Sequence, residues 1–360
     1  MKLFTKILSV ILLISMLASF SGCEKIEEFF GDEEEEDTKP GEETPSIGET
    51  DPRKPGVYTF LLVREGRTLG TAASFAVCEM DISIPSLSIL QIPGNLLIND
   101  SKATSLAELY DASYDSALAS NLSRDESTMN AAKAVSSFIS ENMSVPIDYH
   151  LVLSKNSVEE YIDLIDGIEV DFPFTFTTTA GTTYSAGVRK ITGRAAYDFT
   201  EYQYFRDTES QINAERAVLA GVHAKLCKTL SSENISVHMI LGKPLLATDV
   251  PSDDGYDIFF LRKLIAVTPE NWNVTNLCTT PASIASGDFE VMHRNRALEQ
   301  INTFMKVYNN DVNEEFFDPE LKFTNTNEKI VNAIYKANKS LPESYSAADI
   351  YAGRLRIFTK

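Results

Sequence analysis

Three features of the chain predict an α/β fold. Residues 57–63, 72–80 and 84–92 are short apolar runs that read as buried strands. Residues 147–154 read as a fourth, because Leu151 and Leu153 alternate with less apolar neighbours, and residues 167–173 alternate again before a closing proline. Between these two, Ser157 precedes Val158, Tyr161, Ile162 and Ile165, with Glu160 three places after the serine. That spacing predicts an N-capped amphipathic helix with one buried stripe, ending at Gly167, and so a strand, helix, strand unit.

Around this unit the pattern is more uneven. Residues 103–142 have few periodic signals apart from a helix over 129–139, and the threonine- and glycine-rich 175–185 reads as a hairpin or loop. Residues 235–241 and 258–261 read as further buried elements, 289–307 has helical spacing, 325–337 predicts a helix and 355–358 a strand.

The amino terminus is of another kind. Lysines at 2 and 6, an apolar run from Ile7 to Phe20 and then Ser21-Gly22-Cys23 fit a secretory signal better than a spanning helix. The ending in small residues and cysteine predicts a bacterial lipoprotein signal over 1–22, with Cys23 lipidated and an extracytoplasmic, membrane-tethered product. Residues 24–55 hold thirteen acidic and four basic side chains and little apolar periodicity after Phe30, so 23–55 reads as an extended, self-repelling tether. A cation site in the run 32–37 is the weaker reading, because such runs are usually solvated charge. The tether supplies nine units of the net charge of −20, and the remaining excess of acid excludes a nucleic-acid surface, which needs a basic face.

At residues 147–196 the sequence resembles the LytR-CpsA-Psr family of cell-envelope proteins. Ile147-Asp-Tyr, then Leu164-Ile-Asp-Gly-Ile-Glu-Val-Asp-Phe-Pro173, then Ala186-Gly-Val-Arg-Lys-Ile-Thr-Gly-Arg-Ala-Ala196 stand in the family's order and spacing. The resemblance implies a mixed central β-sheet flanked by helices on both faces, here over 56–310, with 311–360 packed on it or forming a small appendage. It also implies a chemistry, the transfer of phosphate-linked glycopolymers from a polyprenyl pyrophosphate carrier to the cell wall.

The residues of that chemistry are mostly replaced. Where the family carries an aspartate that helps hold a divalent cation, this chain has Ala72-Ala73, and Ile92-Pro-Gly-Asn-Leu96 lacks the arginine that would contact pyrophosphate. Glu201 and Gln203 stand where two arginines would be, and Asn213, Arg216 and Ala217 replace an Arg, Arg, Gln set. Phosphoryl transfer depends on cations already aimed at the equatorial oxygens, and each lost donor costs on the order of 3 kcal/mol in the transition state. The expectation is therefore a noncatalytic, lipid-anchored envelope protein that holds a polyprenyl-type lipid or envelope glycopolymer and uses no cofactor. Two alternatives stay open: an active phosphotransferase, which would need Mg2+, and a structural or partner-binding module.

Arg216, Arg206 and Glu65 are the candidate phosphate-binding remnants. Arg216 shares a helical face with Ile212, Leu219 and Leu226, so its guanidinium should point inward and need an anionic partner, for which Glu201 is the preferred choice. Arg206 also reads as an exposed loop residue. Cys78 and Cys227 fall in apolar patterns and read as small core residues, and with Cys278 allow at most one bridge. The histidines at 150, 223, 238 and 293 have no metal-like spacing, and both Trp272 and the aromatics at 316–317 read as packing before sugar or lipid contact.

Overall fold

The computed structural model describes residues 53–360 apart from 67, 69, 101, 253–254, 285–286, 314–316 and 318–327. The predicted signal, Cys23, Phe316 and the tether up to residue 52 lie outside the described residues. The chain opens with β1 (Val57–Glu65), β2 (Ala72–Asp81) and β3 (Ser86–Pro93), paired antiparallel in sequence order. A small ribbon of β4 (Leu97–Asn99) and β5 (Thr104–Ser105) leads to α1 (Leu106–Ala119) and α2 (Arg124–Met143). The stretch that promised one helix thus contains two. Each starts with a reciprocal cap, Ser105 with Glu108 and Ser123 with Glu126, which supplies the start signal that a weak apolar stripe does not.

Next come β6 (Tyr149–Leu153), α3 (Lys155–Leu164) and β7 (Ile168–Phe172), the strand, helix, strand unit expected from sequence. Its cap is Ser154 and not Ser157: the Ser154 hydroxyl accepts from the Ser157 amide, so the helix starts one turn earlier than the apolar stripe. The tiny hairpin of β8 (Phe176–Thr177) and β9 (Thr183–Tyr184) is followed by β10 (Gly187–Ile191), which pairs with β7 in a separate ribbon. Helices α4 (Gly193–Thr200), α5 (Thr208–Thr229) and α6 (Ile235–Gly242) precede the short β11 (Ala247–Thr248) and α7 (Tyr256–Ala266).

The last part begins with β12 (Trp272–Asn276) and a hairpin of β13 (Thr279–Ile284) and β14 (Gly287–Met292). It ends with α8 (Arg294–Gln300), α9 (Glu328–Lys336), β15 (Ser344–Ser346) and α10 (Ala347–Tyr351). Three expectations change. Residues 289–292 are strand and not helix; 235–241 is a helix whose Val237, Ile240 and Leu241 are exposed; and 355–358 forms no strand, the nearest pairing being the isolated Phe205–Thr359 bridge. In each case a short apolar run fits both periods, so tertiary pairing decides.

The main sheet has seven strands in the order β11-β6-β1-β2-β3-β12-β15. Strands β6, β1, β3 and β12 run one way and the other three run against them, which makes the sheet mixed. Helices α1 and α2 close one face, where Leu61, Val63, Val77 and Leu90 pack with Tyr110, Ala131, Val135 and Ile139. Helices α3, α5 and α7 lie over the other.

Several motif residues have structural work here. Asp148 accepts from the Thr59 amide at 2.8 Å and takes both terminal nitrogens of Arg53, which fixes how β6 enters beside β1. Gly167 has φ +72° and a Cβ there would lie 2.5 Å from the Ile191 oxygen, so the turn into β7 requires glycine. At Gly193 a Cβ would lie 1.9 Å from the Glu159 oxygen, and the Gly193 amide donates to Asp163 at 2.7 Å, so α4 sits directly on α3.

Glycine to alanine at a helix start normally gains up to about 1 kcal/mol, but the clash reverses the sign at Gly193. Gly193→Ala should lose about 3 kcal/mol in urea unfolding. Glu79, opposite Thr59 and buried with its Oε2 unpartnered, has its pKa pushed up by burial to about 8. Between the ordinary carboxylate range and about pH 8 the folded state holds a proton that the unfolded state does not. Stability from this group therefore falls as pH rises across that window, by up to roughly 1.4 kcal/mol per unit. Glu79→Gln should flatten this slope in unfolding measured from pH 5 to 8.

Candidate functional site

The two faces of β1 differ in a way that locates the site. Val57, Thr59, Leu61, Val63 and Glu65 are buried against the α1 and α2 side, whereas Tyr58, Phe60, Leu62 and Arg64 on the opposite face are only half-buried although helices lie over them. Apolar side chains between a sheet and a helical layer stay accessible only if the layers do not meet. Between them lies a cavity of about 380 Å³. Helix α5 turns one face to it at steps of three and four: Glu215, Val218, Leu219, Val222, His223 and Leu226. From the sheet come Phe60, Leu62, Ala76 and Leu151, and from the other helices Tyr161, Met239 and Phe260.

The cavity is polar at one end. Arg64 lies next to the last residue of β1, in register with Ser74 of β2 and Leu153 of β6, at the carboxyl ends of the parallel strands. Its Nη1 donates to Glu201 Oε1 at 2.6 Å, its Nη2 to Glu215 Oε1 at 2.8 Å and its Nε to Ser74 Oγ at 3.3 Å. Ser74 donates in turn to the other Glu215 oxygen at 3.2 Å. Burial alone would lower the Arg64 pKa, but Glu215 and Glu201 together raise it. Burial raises the Glu215 pKa, and Arg64 offsets this only in part. Toward the other end, where β3 and β12 begin, Trp272 pairs in register with Leu87, is buried and lines the cavity, with its ring stacked on His223 at 6.3 Å.

Arg216 points inward, as its helical face predicted, but not to Glu201. Its three nitrogens donate to amide oxygens: Nε to Gln91 at 2.6 Å, Nη1 to Asn213 at 3.0 Å and Nη2 to Asn276 at 2.7 Å. Burial pushes its pKa down to about 10. Glu201 instead pairs with Arg64, a residue that sequence reading passed over because the apolar run before it ends at Val63. The signal was there: Arg64 follows Leu62 at strand period, so it shares the face of Phe60 and Leu62.

Glu65 and Arg206 are not brought to this place. Glu65 lies on the other face of β1, where its Oε1 accepts from the Tyr110 hydroxyl at 3.0 Å and the Gly70 amide at 3.3 Å, and burial raises its pKa. Arg206 is exposed, pairs with its neighbour Asp207 and sits 4.0 Å from the Phe358 ring centre. Among the described residues no three His, Cys, Asp or Glu side chains are grouped to hold a metal ion. Glu65, with one oxygen already accepting from Tyr110 and Gly70 and in no such group, does not fit the divalent cation of the family's chemistry. Cys78, Cys227 and Cys278 are free, and Cys227 is exposed, not core, because it lies one step past Leu226, off the inward face of α5.

Removing Arg64 would leave two carboxylates facing each other in a partly buried place. Arg64→Met should cost roughly 3–5 kcal/mol in urea unfolding at pH 7 and less at lower pH, where Glu215, whose pKa burial raises, takes up a proton.

No curated protein matches the sequence. Among solved structures the fold is similar to B. subtilis TagV, at 13% identity over 71% of this chain and 99% of that one, TM-score 0.56. It is also similar to gbs0355 from Streptococcus agalactiae, at 14% identity over 86% and 97%, TM-score 0.55. A third likeness is to TagT bound to LI-WTA, at 11% identity over 71% and 94%, TM-score 0.51. The profile of the LytR_cpsA_psr family matches residues 83–263, half of the chain, and so spans β3, β6 and β11 of the main sheet and the helices over the cavity. The chain belongs to the LytR_cpsA_psr family.

Proposed function

We propose that this chain is a noncatalytic cell-envelope protein, anchored through a lipid on Cys23, that takes the apolar tail of a polyprenyl-type lipid into the cavity between sheet and helices. The observation that carries this reading is the half-burial of Phe60 and Leu62 against a space lined by apolar side chains from both layers. Its volume of about 380 Å³ falls within the range of pockets that hold small ligands. Family membership and the TagT relative, solved with LI-WTA, agree with an envelope role outside the cytoplasm.

Against catalysis stands the state of the cations. Transfer of a phosphoryl group needs guanidinium donors that are free to meet the equatorial oxygens. Here Arg64 is held by two carboxylates and a serine, and Arg216 is spread over three amide oxygens. Arg216 is not itself in the lining, and Lys243, which with Arg64 is, pairs with Asp257 at 3.4 Å. An inward-facing cation that is already compensated gives little to a transition state.

The chain's single tryptophan tests the reading, since Trp272 lines the cavity. Prenyl or fatty lipids brominated along the tail should quench its fluorescence saturably, while their unbrominated forms compete. Absence of quenching at micromolar lipid would contradict an open lipid site, and Mg2+-dependent turnover of a prenyl diphosphate would contradict the noncatalytic half.

A further inference from the structure

We infer that the polar end of the cavity selects a lipid with an uncharged, hydroxyl-bearing headgroup, such as a long-chain alcohol, and rejects the phosphorylated form of the same lipid. This rests on the lipid reading above and names the headgroup chemistry of that site. Arg64, Ser74, Gln91 and Glu215 line this end, Glu201 and Glu215 hold Arg64, and Arg216 stands behind the lining, reached through its acceptor Gln91, which is in register with Ala76 and Asn276. Arg64, the guanidinium of this lining, already faces two carboxylates before any ligand arrives. An anionic headgroup would therefore bring charge that nothing present offsets, and would meet two carboxylates in a partly dry site where screening is weak.

Hydrogen bonding points the same way. Three of the five N–H groups of Arg64 and of Arg216 already donate to protein oxygens, so a phosphate could take only the second N–H of a terminal nitrogen, beside the carboxylate or amide that holds it. The lining also offers neutral groups. Gln91 is 7% exposed, lines the cavity and gives its Oε1 to Arg216, while its Nε2 has no protein acceptor among the described residues. Because Arg216 can only donate, the amide orientation is fixed and the Gln91 N–H groups are left for an incoming oxygen. Ser74 Oγ is close by and can accept as well as donate. A hydroxyl accepts from Gln91 and donates to Ser74 or Glu215, satisfying both partners without adding charge.

The experiment compares a farnesyl-length prenyl alcohol with its monophosphate, titrated into the full chain at pH 7 and read by Trp272 fluorescence. Expected is binding of the alcohol at least about tenfold tighter than of the monophosphate. Glu201→Gln keeps an acceptor for Arg64 and removes one negative charge, and should move the affinity ratio at least about tenfold toward the monophosphate. Wild-type protein that binds the monophosphate equally or more tightly overturns the inference and leaves the lipid reading standing, as does a ratio that Glu201→Gln does not move. Binding of neither probe overturns the lipid reading itself, and the headgroup inference with it. The wild-type comparison decides the matter even if the variant does not fold.

Discussion

The pairing of Arg64 with Glu201 and Glu215 is the constraint on which the rest of the site depends. One guanidinium at the end of β1 ties the sheet to the end of α4 and the middle of α5, across the gap that would otherwise separate them. A partly buried arginine without a counter-charge is costly, and so are two carboxylates without a cation, so each makes the others tolerable. The same interaction commits the guanidinium to holding the two layers together, and the cavity behind it remains apolar and accessible.

The residues that carry the resemblance are held by packing and hydrogen bonding. Asp148 anchors β6 to β1, Gly167 makes the turn into β7, and Gly193 lets α4 rest on the backbone of α3 with Asp163 accepting its amide. None of these contacts requires a ligand. Arg64 reaches Glu201 from β1, so the charge of Glu201 is compensated within the fold.

Much of the architecture was legible in the sequence. The strand, helix, strand unit over 147–173 and the three opening strands follow from period alone, and the family resemblance supplied the mixed sheet. Helices α1 and α2 were partly hidden because their caps, and not their apolar stripes, define them, and α6 was misread because five apolar residues among the seven of 235–241 fit either period. The site was less legible. Sequence put Arg216 on an inward face but could not show that amides from β3 and β12 would join Asn213 in receiving it, since Gln91 and Asn276 lie 125 and 60 residues away. Arg64 escaped notice because its partners lie 137 and 151 residues away, and no local pattern records a pairing of that range. The open cavity is likewise a property of how two layers fail to meet, which periodicity does not encode.

The most direct test of a compensated, phosphate-free lipid site is native mass spectrometry of the full-length chain, extracted gently from a bacterial envelope, with fragmentation of whatever lipid it retains. The account predicts a retained lipid with a long apolar tail and no phosphorus in its headgroup. A retained polyprenyl phosphate or diphosphate would contradict it, because the cations would then be open to a phosphate after all.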